Sequence, residues 1–357
     1  MIFYVLLAVI AVGVFLVSYR YPSTEKTISL SLLSLLVLIG GFRDTIGWDY
    51  YNYTTWYLNG TRDDGFEFGF LGLMKVCRYF NIDYHFLFFL VAFFTYFFAY
   101  LGIRKYTKNS SLPLVLYVFI PVLFLYSFTY IRQYLSVAIA FYAFNCLLEK
   151  KYLIYFMLMF LGISIHYTCL IPFVFFTIVY IWGSQLKIKY LYAVLIFSLI
   201  LSQFGVIHIL SILLKDSHYS YYVIDKFSLP VPILKLFVFN VVGAFVIWYY
   251  NRNGFKDEKQ KFFLILYIVS ILILNLFYES TELTRIYIYF RIFEILLIAD
   301  IINDALFKRK YVLVSVFIFC FYLIPYFRAI KIDYEMTPRD QKLIPYKTLL
   351  LPGVNFN

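Results

Sequence analysis

Apolar stretches long enough to cross a lipid bilayer recur along most of this chain, and that recurrence rules out nearly every soluble architecture. Crossing about 30 Å of hydrocarbon takes about 20 apolar residues at the rise of an α-helix, fewer where a span is short or partly interfacial. Candidate spans fall at about 1–18, 27–42, 84–101, 112–128, 131–148, 152–165, 167–182, 190–208, 232–250, 262–278, 286–303 and 311–325. Only a tight turn near His166 separates the sixth from the seventh. Backbone groups inside lipid must find their partners within their own segment. The expected class is therefore an all-α integral membrane protein, a polytopic bundle of about 12 transmembrane helices. Charged residues make up 14% and the mean hydropathy is +0.81, against about 25% charged in soluble domains. The opening run MIFYVLLAVIAVGVFLVS has no basic n-region and no clear cleavage site, so it reads as a retained first span. No repeat or domain boundary stands out, and residues 1–357 read as a single transmembrane domain.

Orientation follows from the positive-inside rule. The connections after odd-numbered spans carry Arg20 and Lys26; Arg104, Lys105 and Lys108; Lys150 and Lys151; Lys187 and Lys189; Arg252, Lys256, Lys259 and Lys261; and Lys308, Arg309 and Lys310. Every one of them is basic, which places them in the cytoplasm and both termini outside. These loops absorb most of the net charge of +11, so that charge calls for no nucleic acid. The outer face then carries the loop 43–83, the loop 209–231 (with Asp216, His218, Asp225 and Lys226) and the tail 326–357 (with Pro338, Pro345 and Pro352). Within the first loop, 66–80 has apolar residues at helical spacing with Lys75 and Arg78 opposite them, as expected of an amphipathic helix lying in the interface.

This threading brings Arg43, Asp49, Arg132, His166, Arg285 and Arg291 to one membrane face. Ionisable residues near lipid are costly, and their convergence points to a site. Each has a structural alternative. Arg43 and Asp49, in GGFRDTIGWDYYNY, could pair to pin their loop. Arg132 could snorkel to headgroups. His166 could be a turn residue, and Arg291 and Glu294, three apart on one helical face, could pair within the span. The functional reading uses the planar guanidinium fork, which binds two phosphate oxygens at once, and a base poised near neutral pH. Several guanidiniums, a candidate base (Asp49 or His166) and aromatics making up 23% of the chain suit a substrate with an anionic head, a greasy tail and sugars. Most of those aromatics read as lipid-facing Phe and interfacial Tyr. Cys77, Cys146, Cys169 and Cys320 show no CxxC and no metal spacing, and no second His or Cys is read at metal-ligand spacing beside His166. The expectation is a metal-independent enzyme with no cofactor.

FRDTIGWDYYNY, YIRQYLSVAIAFYAFNCLLEKKYLIYF, ISIHYTCLIPF and TRIYIYFRIFEILLI, in that order and spacing, resemble the EpsG-type family of polysaccharide polymerases within the broader Wzy class. The likeness runs from about 42 to 300. It implies a multi-pass protein of the bacterial inner membrane with its active site facing the periplasm or exterior. Such a protein joins undecaprenyl diphosphate-linked oligosaccharide repeat units, donor and acceptor both held in membrane lipid, into O-antigen, capsule or exopolysaccharide. A chain-length regulator is an expected partner by family analogy. The matching positions are Arg43, Gly47, Asp49, Tyr50, Arg132, Gln133, His166 and Arg291, with Arg285 a looser match. Asp49, His166, Arg132 and Arg291 are then the expected catalytic residues. Arg43, Tyr50, Gln133, Arg285, Tyr289 and Glu282 are expected to bind diphosphate or sugar. The acidic residues Asp63, Asp64 and Glu67 fall outside the pattern. Competing readings are an O-antigen ligase, which shares the donor chemistry, a polysaccharide flippase or transporter, a membrane acyltransferase and a scaffold. Scarce charges in the inner half disfavour a transporter.

Overall fold

A computed structural model describes residues 1–60, 67–207, 230–307, 312–337 and 341–351. Asp63, Asp64, the loop residues 209–229 with Asp216, His218, Asp225 and Lys226, the basic run 308–310, Pro338 and Pro352 lie outside them. The described residues are helical apart from connections and one isolated bridge.

Among them, eight helices are long and apolar enough to cross a membrane: Ile2–Arg20, Pro22–Gly41, Tyr84–Tyr106, Ile131–Leu148, Tyr167–Gln185, Ile233–Asn253, Glu258–Leu276 and Leu313–Met336. Two more, Tyr152–Ile165 and Lys189–Ser202, are apolar but shorter. The remaining two expected spans are broken. The stretch 112–128 is a helix only over Ser111–Phe119. It stops at Ile120, which is extended (ψ 99°) because Pro121 follows, and the chain then makes a 3-10 turn at Leu125–Phe128. The stretch 286–303 is divided among a 3-10 turn at Arg285–Tyr287, a single turn at Ile288–Arg291 and a helix at Glu294–Phe307. The last span, expected to end at 325, continues through Pro325 to Met336. A proline forfeits one helical hydrogen bond, a loss a long transmembrane helix tolerates.

The chain divides into two compact units, Met1–Leu170 with Ile298–Asn357, and Ile171–Leu297. In the first unit, α1 (Ile2–Arg20), α2 (Glu25–Gly41), α3 (Tyr50–Asn59), α4 (Phe68–Tyr79), α5 (Tyr84–Tyr106), α6 (Ser111–Phe119), α7 (Ile131–Leu148) and α8 (Tyr152–Ile165) follow in order. Helix α7 is the hub, packed between α5 and α8, with α2 against the far side of α5. At one end of this bundle Glu25 is buried and satisfied. It accepts from Ser29 Oγ at 3.0 Å and from the Ser110 amide and hydroxyl at 2.8 and 2.5 Å, and pairs with Arg104 at 2.9 Å. The other end carries the α2 exit, the α5 and α7 starts and the α8 exit, and holds the candidate site.

The second unit contains α9 (Leu170–Trp182), α10 (Lys189–Ser202), α11 (Ile233–Asn253), α12 (Glu258–Leu276), α13 (Thr281–Thr284), α14 (Ile288–Arg291) and the start of α15 (Glu294–Phe307). Its core is α12, against which α10, α11 and α14 pack. Asn275 ties three helices together, donating to Ser198 Oγ at 2.8 Å and Asn240 Oδ1 at 3.0 Å. The closing helix α16 (Val312–Met336) belongs to the first unit.

Residues 43–83 fold more than expected. The helix read at 66–80 is α4, and it buries Phe70, Met74 and Cys77 at helical spacing. The stretch before it, read as loop, contains α3, which buries Tyr50, Tyr53 and Tyr57 against α5. Aromatic residues have modest helix propensity, so the packing of these three rings stabilises the helix.

Candidate functional site

Arg132 opens α7 and His166 closes α8, and the carboxylate between them is Glu67. Arg132 Nη1 donates to Glu67 Oε2 at 2.5 Å, while Glu67 Oε1 lies 2.7 Å from His166 Nδ1 and accepts the Tyr167 amide at 3.2 Å. Arg132 Nε donates to the Tyr53 hydroxyl at 3.1 Å, and the guanidinium lies 5.9 Å from the ring centres of both Tyr53 and Phe70. Glu67 is 7% exposed, whereas Arg132 and His166 keep 21% and 23% of their side chains open. The carboxylate is the buried anchor and the two cationic or basic groups are the accessible ones.

Local sequence explains each placement. Glu67 is the residue before α4, in extended conformation (ψ 140°). Its carbonyl starts the helix by accepting from the Leu71 amide, and its side chain turns to Arg132 and His166. Helix α4 approaches α8 closely because residue 69 is glycine: a Cβ there would lie 2.3 Å from Ser164 Oγ and 2.8 Å from the Ser164 carbonyl oxygen. Gly69→Ala should therefore displace α4, cost about 1–3 kcal/mol of stability and separate Glu67 from His166. Thermal denaturation measures the first effect, and hydrogen exchange at the start of α4 and the exit of α8 measures the second. Ser164→Ala should rescue only in part, since the carbonyl clash remains.

The electrostatics favour an ionised carboxylate. Burial acts to raise the Glu67 carboxyl, but the His166 hydrogen bond and the Arg132 charge outweigh it and hold the group below its ordinary range. Burial raises the Tyr53 phenol, so Tyr53 stays neutral and Glu67 supplies the counter-charge to Arg132. A carboxylate can only accept hydrogen bonds, so His166 Nδ1 carries the proton. The lone pair of the neutral ring then resides on Nε2, the atom a general base uses.

The other expected residues take different places. Arg43 is buried, and its guanidinium serves backbone carbonyls: Nε donates to Ile46 at 3.2 Å, Nη2 to Phe128 at 3.1 Å and Nη1 to Gly40. It also lies 5.2 and 5.3 Å from the Phe88 and Phe128 ring centres. It thus fastens the corner after α2 to the approach to α7. In that corner Gly47 has φ 109° and sits so close to the Phe128 carbonyl that a Cβ would meet its oxygen at 2.4 Å. Asp49 is half-buried at the start of α3, and Tyr50 stacks flat on Phe88 at 4.6 Å. Gln133 is buried on α7. Arg43, Asp49, Arg132 and His166 all lie at the same end of the first unit.

Arg285, Arg291, Glu282 and Tyr289 belong to the second unit. Arg285 Nη2 pairs with Glu282 Oε1 at 2.5 Å, both part-exposed. Arg291 is buried, pairs with Glu294 and places its guanidinium 3.9 Å from the Phe239 ring centre and 5.5 Å from that of Tyr267. The Arg291–Glu294 pair weighed from the spacing is present. Tyr289 is buried.

Glu67 is the residue that sequence reasoning passed over. The available signal was a lone carboxylate in FEF, at the mouth of an apolar amphipathic helix, where an unpaired charge is costly. Among the described residues no group of three or more His, Cys, Asp or Glu could hold a metal ion.

A polytopic helical membrane protein with a carboxylate-bridged arginine and histidine at one end of a helix bundle is the class this structure defines. The chain belongs to the EpsG family, whose model matches residues 25–348. No curated protein and no solved structure gives a significant match. Membership supports a polymerase-type role in polysaccharide biosynthesis.

Proposed function

We propose that this protein is a polysaccharide polymerase that joins oligosaccharide repeat units carried on undecaprenyl diphosphate, at the periplasmic or outer face of the bacterial inner membrane. Glu67 bridging Arg132 and His166 carries the reading, because one buried anion orients both a phosphate-binding group and a base. Arg132 binds the diphosphate of the donor and stabilises the charge that builds as it leaves. His166 Nε2 takes the proton of the attacking sugar hydroxyl. The hydroxyl oxygen forms a bond to the anomeric carbon, the bond from that carbon to the diphosphate oxygen breaks, and the carrier departs as undecaprenyl diphosphate. Glu67 holds the imidazole tautomer and balances the imidazolium that forms.

This assignment favours His166 over Asp49 as base and leaves Asp49 to position α3. Arg43 holds the corner through carbonyls. In the second unit Arg285, part-exposed beside Glu282, is assigned to anion binding ahead of the buried Arg291. No step in this chemistry calls on a metal ion.

A deletion strain should display single repeat units on its surface glycan in place of long chains. Purified protein should extend lipid-linked repeat units extracted from that strain. Complete absence of surface glycan would indicate an upstream transport role, and full-length chains that fail to reach their final acceptor would indicate a ligase.

A further inference from the structure

The segment 341–351 is a strap laid across the corner that leads into α3. The Lys347 carbonyl accepts the Asp44 amide at 3.0 Å, the Gln341 carbonyl accepts the Gly47 amide at 3.1 Å, and the Leu349 amide donates to the Phe42 carbonyl at 2.9 Å. Arg43 and Thr348 face each other as an antiparallel bridge. Side chains reinforce the backbone: Tyr346 donates to the Ile39 carbonyl at 2.8 Å and Thr348 Oγ1 to the Phe42 carbonyl at 3.0 Å. The strap is itself anchored. Asp333 Oδ2 on α16 accepts the Leu343 amide at 2.7 Å, Tyr4 on α1 donates to the Leu343 carbonyl at 3.1 Å, and Phe3 stacks on Tyr346 at 3.9 Å. Trp48, inside the corner, donates to Thr337 Oγ1 at 2.9 Å.

The corner has two outputs. It leads directly into α3, whose Tyr53 hydroxyl accepts from Arg132 Nε, and through Arg43 it holds the Phe128 carbonyl three residues before α7 begins. Only the first route ends on the Arg132 side chain; the second fixes the approach to α7. A folded α3 and a bound Arg132 do not by themselves require a segment some 300 residues away. The strap nevertheless occupies the amides of Asp44 and Gly47, which no helix satisfies.

We propose that strap residues Tyr346 and Thr348 are positioning residues for the site: by fixing the 42–49 corner they set α3, and through Tyr53 the orientation of the Arg132 guanidinium. This inference rests on the reading of Arg132 as the phosphate-binding group. An orientation error of about 1 Å in such a group is enough to cost about a hundredfold in rate.

The test is the double variant Tyr346→Phe/Thr348→Ala in the full chain, which removes two hydroxyls and leaves the strap backbone intact. Hydrogen exchange should accelerate about tenfold at the amides of 44–58, with the α8 exit unchanged. Extension of lipid-linked repeat units should fall about tenfold in the parent background and less than about twofold when Tyr53 is already phenylalanine, because residues acting along one path are not additive. Thr348→Ser, which keeps the hydroxyl, should restore the Tyr346→Phe level. Unchanged exchange at 44–58, or a full-sized loss in the Tyr53→Phe background, would overturn the proposal. If the parent protein extends no repeat units, the polymerase reading fails, and the exchange result still decides the strap.

Discussion

Glu67→Gln should lower repeat-unit extension by about a hundredfold to ten-thousandfold, the usual span of general acid–base catalysis, while the protein still accumulates in the membrane. Glutamine has nearly the same shape, so the loss reflects chemistry. The carboxylate accepts from Arg132 on one oxygen and from His166 and the Tyr167 amide on the other. A carboxamide has one accepting oxygen and one donating nitrogen. The amide is neutral, so Arg132 loses its counter-charge whichever way the group turns. The amide nitrogen either faces the Arg132 donor, or faces the Tyr167 amide and forces the His166 ring into the other tautomer, which moves the proton onto Nε2 and abolishes the base. His166→Ala should cause a loss of the same order, and the double variant should be no worse than the poorer single one, since residues acting as a unit are not additive. The measurement is initial rate on extracted lipid-linked units at matched protein levels. Near-parental activity for Glu67→Gln would remove the dyad from the mechanism. Asp49→Asn gives the contrast: on the present assignment it should be markedly milder.

Arg132→Lys should cost about a hundredfold to a thousandfold, the loss typical when one preorganised transition-state donor is removed. Lysine keeps the charge, so a substitution that spared activity would mean that charge alone suffices. The geometry argues otherwise. Arg132 uses Nε for Tyr53 and Nη1 for Glu67, two directions fixed by one planar group. A single ammonium on a flexible stem satisfies one of these partners at a time and presents no second oxygen-binding edge. The Glu67 carboxylate, 7% exposed, would then swing between the substituted ammonium and His166. Tyr53→Phe removes one neutral acceptor and should cost no more than about tenfold, in line with about 1 kcal/mol for an uncharged hydrogen bond. An Arg132→Lys protein that makes long chains at normal rate would remove the phosphate-binding role.

The sequence and the tertiary structure divide the explanation unevenly. Apolar periodicity located the helices well: α7 and α8 begin and end where the hydropathy and charge change, at Ile131–Leu148 and Tyr152–Ile165. Arg132 and His166 were visible because each is an ionisable group at the edge of an apolar run, where little else explains its presence. Helix α3 was harder: Asp49 before it and Gly60 after it are cap-type residues, but Asp49 makes no side-chain cap hydrogen bond, and only the burial of Tyr50, Tyr53 and Tyr57 reveals the helix face. Arg43 was expected to help bind diphosphate because it matches the family's pattern and a guanidinium suits phosphate oxygens. Its three nitrogens instead bind carbonyls, and one of those, Phe128, lies 85 residues further along the chain.

What the chain's order of residues determined by itself is therefore the membrane class, the positions of most of the long apolar helices and the family, all of which depend on local composition and on short motifs in a fixed order; the breaks within 112–128 and 286–303 and the helix α3 were not among them. The tertiary structure alone decided that Glu67 joins Arg132 and His166, 65 and 99 residues away, and that 341–351 closes over the corner after α2. The reason is physical. Transfer of a side chain into lipid is a property of each segment, legible from its residues one stretch at a time. A hydrogen bond between distant segments depends on where packed helices leave each donor and acceptor, and no single stretch of sequence records that.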